Sequence, residues 1–261
     1  MSMIKKIARG LRNPGTLPAY CNAKTIDYRI KINNAFVGKR TRPKPPVTGL
    51  AALDEIQARA LVRTDINDHL VTLFIESLSP APKLIVELGV RGGETAFVLE
   101  RVASLCGSRV VLVDIEDCSG VTSCASSTFV KSDDVELGKR FPAWCRERGW
   151  EPQIDILHID TSHLFAHTTQ EIEHWFPHLG AKAKVFLHDT NLTPVFRRRD
   201  GSMGKAWNNE RGVIRALERY FNKPFNETRD FIDYSRGWLI KHDAVCNGFT
   251  ILERIELPSQ T

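Results

Sequence analysis

A chain of 261 residues, 42% hydrophobic and 26% charged, can bury a substantial core as one large domain or one domain with an appended segment, which argues against a multidomain machine. No apolar run approaches the roughly 18–20 residues that a bilayer-crossing helix requires, so a soluble protein is expected. The formal charge of +5 is unevenly spread: residues 1–45 hold eleven Lys and Arg against one acid, Asp27, so this arm carries +10 and the remainder −5.

A basic arm on an acidic body suits an anionic partner such as a phospholipid surface or a phosphorylated substrate. Nucleic acid is not the expected partner. Met3 to Leu11 has Ile4, Ile7 and Leu11 on one helical face among Lys5, Lys6 and Arg9, a short basic amphipathic helix able to lie on a membrane surface. The first twelve residues lack the apolar stretch of a signal peptide. The six cysteines (Cys21, Cys106, Cys118, Cys124, Cys145 and Cys246) form no Cys-x-x-Cys pair. A cytoplasmic protein, peripheral to the membrane through its arm, is the corresponding expectation, and a homo-oligomer is compatible with the sequence.

From Asn13 to Pro46 the Pro, Gly and Asn residues predict an irregular connector. Helices are predicted over Leu50 to Val62 and Asp65 to Ser77, the second with Ile66, Leu70, Leu73 and Phe74 on one face. After Pro80 and Pro82 the pattern alternates. Strands are predicted at Leu84 to Leu88, Arg109 to Asp114, Thr128 to Lys131, Ile154 to Ile159 and Lys184 to His188. Helices are predicted at Glu94 to Leu105, Asp134 to Arg148, Leu164 to His178 and Asn209 to Phe221. Alternation of this kind implies an α/β fold with a doubly wound, mostly parallel sheet. Two final strands, Gly237 to Lys241 and Gly248 to Glu253, are joined too closely for a crossover helix and imply an antiparallel return.

The first strand ends in Glu87-Leu88-Gly89-Val90-Arg91-Gly92-Gly93-Glu94-Thr95. Such sheets bind ligands at the carboxyl ends of their strands, where glycines admit close backbone approach and helix N-termini favour a carboxylate or phosphate. The spacing is not the Gly-x-Gly-x-x-Gly of dinucleotide folds. Glu87 would repel a pyrophosphate and can serve an amino-acid ammonium group. Asp114 ends the second strand, where a ribose diol would meet it, and Ser132 and Asp133 follow the third, although Asp133 also suits a helix cap. The fourth strand ends in Ile159-Asp160-Thr161-Ser162-His163 and the fifth in Leu187-His188-Asp189-Thr190-Asn191.

These tips resemble class I S-adenosylmethionine-dependent methyltransferases, in particular the cephalosporin-hydroxylase-like and macrolide-sugar O-methyltransferases, over about Leu84 to Leu257. The resemblance implies a Rossmann-like sheet of seven strands with the last antiparallel. It divides the chain into a basic extension (1–46), a helical lead-in (47–80) and a donor-binding domain (81–261). It further implies that Glu87, Gly89, Arg91, Gly92 and Thr95 surround the methionine part of S-adenosylmethionine, with Asp114 at the ribose, Ser132 and Asp133 at the adenine, and Asp160 beside the donor. In the sugar O-methyltransferases a fourth-strand acid and two adjacent fifth-strand acids hold Mg²⁺, a set corresponding to Asp160, His188 and Asp189. The sequence departs at His188, which shifts the preference toward another divalent metal or none. A histidine at the position of His163 is the general base in the same relatives, and an imidazole can accept a hydroxyl proton at neutral pH. His158, within its strand, and His167, on the next helix, take structural roles.

The expected reaction is therefore O-methylation of a sugar or another small-molecule bacterial metabolite, with His163, Asp160 and Asp189 at the reaction centre. The polar stretch between Thr190 and Asn209 predicts a lid or binding loop in which Arg197 to Arg199 and Trp207 contact a phosphorylated or glycosylated acceptor. Two other readings share the sheet. A nicotinamide-dependent oxidoreductase would use the acid at the second strand tip, but Glu87 and the missing Gly-x-Gly argue against it. A non-catalytic binding module would keep the fold without turnover.

Overall fold

The alternation read from the sequence is present in a computed structural model that describes residues 17–37 and 44–255. Three helices lead: α1 (Leu17–Val37), α2 (Ala51–Ala60) and α3 (Leu70–Ser77). The sheet region then runs β1 (Leu84–Leu88), α4 (Glu94–Cys106), β2 (Arg109–Asp114), β3 (Ser127–Lys131), α5 (Asp134–Arg146), β4 (Ile154–Ile159), α6 (Phe165–Trp175) and β5 (Leu179–His188). A small hairpin follows, β6 (Val195–Arg197) with β7 (Met203–Lys205). The chain closes with α7 (Gly212–Phe221), β8 (Phe231–Ser235), β9 (Trp238–Asp243) and β10 (Phe249–Arg254).

The main sheet has the order β3-β2-β1-β4-β5-β10-β9-β8. Its first five strands are parallel, and β10 lies antiparallel between β5 and β9. The expected doubly wound sheet with a reversed last strand is thus observed, with one strand more than the expected seven: β8 pairs antiparallel with β9 at the edge. Its pattern conceals it, because Ile232 and Tyr234 are the exposed residues and Asp233 is turned inward.

Period-2 alternation divides the core. Leu84, Val86 and Leu88 of β1 join α5, α6 and α7 on one face, whereas Ile85 joins α2, α3 and α4 on the other. The helical lead-in therefore shares a core with the sheet. Trp175, fully buried, anchors the first face: its ring lies 4.9 Å from that of Phe141, and its indole N–H donates to the Asp134 carbonyl at 3.1 Å. Trp175→Ala is expected to cost about 3–5 kcal/mol through the cavity it leaves. Urea denaturation checks this, and a loss below about 1 kcal/mol would contradict the packing.

The irregular connector expected over Asn13 to Pro46 is corrected, because residues 17–37 form α1. The helix breakers lie at its margins. Pro18 occupies the first turn, where its missing N–H costs nothing, and no Pro or Gly occurs from Ala19 to Val37. α1 docks on the β6–β7 hairpin by amide hydrogen bonds: Asn33 donates to the Gly201 carbonyl (3.0 Å), and Asn34 exchanges two bonds with the Met203 backbone (2.8 and 2.7 Å). The amphipathic segment at Met3 to Leu11 lies outside the described residues. Among the described residues no helix is long and apolar enough to cross a membrane.

Candidate active site

The strand order changes direction at β1: β2 and β3 lie to one side, β4 and β5 to the other. The crevice beyond the tips of β1 and β4 is where sheets of this kind bind ligands. Gly89 lies in it with φ +83, and a Cβ there would collide with the carbonyl of Asp160. Glycine is thus required twice, for the backbone angle and for the contact with β4. Gly93, also left-handed (φ +74), precedes α4 as its N-cap.

Glu87 does not reach this opening. Two residues beyond Ile85 on the same face of β1, it is fully buried, accepts the Thr95 hydroxyl, and lies 3.5 Å from Nδ1 of His158. Burial holds its pKa above the ordinary carboxylate value despite those partners. Glu87 and Thr95 therefore tie the base of the turn to α4 and β4 from below. Gly92 is likewise absent from the cavity wall. His158 is buried within its strand, as expected.

A cavity of ≈ 440 Å³ opens over the turn, and its wall includes Gly89, Arg91, Asp114, Ser132, Asp133 and Asp160. Asp114 accepts the backbone N–H groups of Val90 (2.8 Å), Arg91 (3.0 Å) and Glu116 (2.9 Å). Burial opposes its charge, but these donors win and hold its pKa below the usual range. One of its oxygens carries two of the bonds and the other a single one, which leaves acceptor capacity toward the cavity. Asp133 does cap α5, accepting from the Glu136 N–H at 3.0 Å, while also lining the wall.

Sequence reading missed a second group on this wall. His167, expected to be structural, lines the cavity, and its Nε2 lies 3.1 Å from Asp134 and 3.7 Å from Glu171. The Asp134, His167 and Glu171 ligand atoms all lie within 4.8 Å of one another. Burial and the neighbouring Asp134 push the Glu171 carboxyl well above its ordinary pKa, and the Thr161 hydroxyl donates to it at 2.6 Å. The i, i+4 spacing of His167 and Glu171 was the available signal.

The structure brings the tips of β4 and β5 together around two carboxylates. Nε2 of His163 lies 3.0 Å from Asp189 and 3.7 Å from Asp160. Nδ1 of His188 lies 3.1 Å from Asp160 and 3.4 Å from Asp189, and its Nε2 lies 3.3 Å from the Asp65 carbonyl. All four side chains are largely buried. Burial alone would depress the His188 pKa, but Asp189 and Asp160 push it up to about 10. Asp160 is held below the usual carboxylate range, burial being outweighed by His188 and His163. His163 (φ 57) and Asp189 (φ 57) both have left-handed backbones. Such non-glycine outliers concentrate where the surroundings over-determine a functional geometry.

A second cavity, ≈ 330 Å³, adjoins these residues; its wall includes Arg91, His163, Asp189, Phe196, Lys205 and Trp207. Arg91 lines both cavities. The stretch expected to be a polar loop is the β6–β7 hairpin, which brings Phe196 and Lys205 over the fifth strand tip. Trp207 is 46% exposed, with its ring 6.3 Å from that of His163. The arginines expected to grip an acceptor divide: Arg198 lines the second cavity while bonding the Thr64 and Arg63 carbonyls, Arg199 pairs with Asp243, and Arg197 is exposed and off that wall.

Residues 86–190 match the family model described as a methyltransferase domain. A sequence comparison with curated proteins gives no match. Among solved structures, the chain resembles the O-methyltransferase from Bacillus cereus in complex with SAH at 13% identity, covering 86% of this chain and 99% of that one with a TM-score of 0.51. It also resembles the MycE methyltransferase of the mycinamycin biosynthetic pathway in complex with Mg and SAH. There the identity is 19%, covering 84% of this chain and 57% of that one with a TM-score of 0.50. The chain thus spans under three fifths of the length of MycE, and the likeness is one of fold.

Proposed function

We propose that this chain, a class I methyltransferase by its fold and by the domain at residues 86–190, transfers a methyl group from S-adenosylmethionine to a hydroxyl of a sugar or another small metabolite. The single observation that carries the reading is the pairing of two adjoining cavities across one set of strand tips. The wall over the Gly89 turn fits a nucleoside-bearing donor, and the wall at His163 and Asp189 fits an acceptor.

The donor, when bound, supplies an electrophilic methyl on a sulfonium and leaves as S-adenosylhomocysteine. Gly89 lines the donor cavity and lets the β1 turn pack directly on the Asp160 main chain, which a Cβ would strike. Asp114 offers its less engaged oxygen to a ribose hydroxyl, and Ser132 and Asp133 border the base. Glu87 and Thr95 act beneath the turn by holding its shape.

His163 is the proposed general base. Asp189 accepts hydrogen bonds only, so the nitrogen facing it, Nε2, bears the proton, and Nδ1 is left to receive one from the acceptor hydroxyl. As that proton moves, the carboxylate of Asp189 stabilises the imidazolium and fixes the ring orientation, the division of labour of a His–Asp pair. Phe196 and Trp207 cover the reacting hydroxyl and give a sugar ring an apolar face.

A divalent cation such as Mg²⁺ would be held by Asp160 and Asp189, whose ligand atoms lie with that of His163 within 4.8 Å of one another; one Asp189 oxygen is buried without a hydrogen-bond partner, and the ion would lower the pKa of an acceptor hydroxyl there. His188, the remaining strand-tip residue, turns its two nitrogens toward oxygens of Asp160 and Asp65. No step is routed through a metal.

Thermal unfolding with added ligand tests the donor. S-Adenosylhomocysteine is expected to raise the melting temperature and NAD to leave it unchanged. Stabilisation by NAD alone would favour a nicotinamide-dependent oxidoreductase and overturn the reading.

A further inference from the structure

We infer that Asp134, His167 and Glu171 form a binding site for a divalent transition-metal ion of the zinc type, set in the wall of the donor cavity and sharing no residue with the carboxylate pair of Asp160 and Asp189. The inference is independent of the methyl-transfer reading.

Two helices build the site. His167 and Glu171 stand four residues apart on α6 and so share one of its faces. Asp134 is the first residue of α5, and the Trp175 indole N–H, which holds the Asp134 carbonyl at 3.1 Å, ties the two helices together at that level. The spacing suits coordination. Ligand atoms about 2.0–2.2 Å from one tetrahedral Zn²⁺ lie about 3.3–3.6 Å from each other. Nε2 of His167 lies 3.1 Å from Asp134 and 3.7 Å from Glu171, values that bracket this separation, and all three ligand atoms lie within 4.8 Å of one another. An imidazole with two carboxylates is a donor set that zinc accepts, with a fourth position left for water.

A second observation points to a ligand. Glu171 is fully buried; one of its oxygens accepts the Thr161 hydroxyl at 2.6 Å, and the other is buried with no hydrogen-bond partner. A carboxylate oxygen unpaired at that depth is costly, and an ion is among the few things that account for one. Asp134 is nearly as buried, and both acids have the same ion-pair partner, His167. A dication balances two carboxylates and takes the lone pair of a neutral imidazole. A proton shared between the two acids is the other way to fill the gap, and the experiment separates the two.

Access and consequence follow from position. Asp134 and His167 line the donor cavity, and the His167 side chain is 26% exposed, so an ion can enter from the cavity. Thr161, bonded to Glu171 from outside the ligand set, is the residue after Asp160. Occupancy would therefore stiffen the β4 tip, as outer partners of metal ligands do.

The experiment uses the full chain stripped with a chelator, and ZnCl₂ as the probe in isothermal titration. Wild-type protein is expected to bind one Zn²⁺ that Asp189→Asn leaves in place. His167→Ala and Glu171→Gln are each expected to weaken that binding by at least about tenfold, since loss of even an outer partner of a metal ligand costs that much. Crystals of the wild-type protein grown with ZnCl₂ and measured at the zinc absorption edge are expected to place an anomalous peak between the three side chains, and this arm decides the matter if a variant fails to fold. Three results would overturn the inference: no Zn²⁺ binding beyond what Asp189→Asn removes, folded His167→Ala and Glu171→Gln variants with wild-type affinity, as adventitious surface binding would give, or an anomalous map without the peak.

Discussion

Replacing Gly89 with alanine is expected to abolish binding of S-adenosylhomocysteine and to destabilise the fold by about 2–5 kcal/mol. Two costs combine. A side chain at φ +83 carries roughly 1–2 kcal/mol of left-handed strain, and forcing a methyl into filled space adds about 1–3 kcal/mol. The atoms in the way are the main chain of Asp160 and Thr161, which cannot rotate aside as a side chain could. Relief therefore requires the β1 and β4 tips to part, although they are bonded there through the Asp160 N–H to the Leu88 carbonyl at 2.9 Å. That movement would reshape the donor cavity and shift Asp160 within its carboxylate pair. Denaturant unfolding and calorimetric titration measure the two effects. A Gly89→Ala protein with wild-type stability and affinity would show that the crevice is not the donor site.

Loss of His163 is expected to lower methyl-transfer turnover by about 10²–10⁴ while leaving donor affinity unchanged, the signature of a group used in proton transfer. His163→Asn is the cleaner variant, because asparagine tolerates the left-handed backbone that this position adopts (φ 57) better than alanine does. His163 belongs to the wall of the second cavity and not to that of the first, which is why donor binding should survive. Asp189→Asn should act in the same direction by disturbing the ring orientation and weakening the forming imidazolium. Full turnover in His163→Asn would remove this histidine from the chemistry.

The sheet was legible because its strands are short apolar runs separated by helical periods, and because polar residues at the strand tips interrupt that pattern where ligands bind. Asp114, Ser132, Asp133, Asp160, His163 and Asp189 stand out for that reason, and each lies on the wall of one of the two cavities. Less visible was which way a polar strand residue faces. Glu87 follows Ile85 in the alternation and is fully buried beneath the turn, a consequence of pleat and register that the motif alone does not carry. The placement of His188 was hidden similarly, since its ring reaches the Asp65 carbonyl, distant in sequence.

The helix α1 and the hairpin β6–β7 escaped for a different reason. The inward face of α1 is mixed: Ala23, Ile26, Ile30 and Val37 are only half-buried and share it with Asn33 and Asn34, which make the docking hydrogen bonds, while Tyr28, Ile32 and Phe36 remain exposed and blur the pattern. The hairpin strands have three residues each, too few to show a period.

The most direct measurement of the central claim is incubation of the protein with S-adenosylmethionine carrying an isotopically labelled methyl group and a panel of sugar nucleotides, sugar phosphates and glycosylated metabolites. Products would be read by mass and by nuclear magnetic resonance. The expected result is a labelled methyl bonded to one acceptor oxygen, formed together with S-adenosylhomocysteine and lost in His163→Asn. Transfer of the label to nitrogen or carbon, or saturable donor binding with no transfer to any acceptor in the panel, would contradict it.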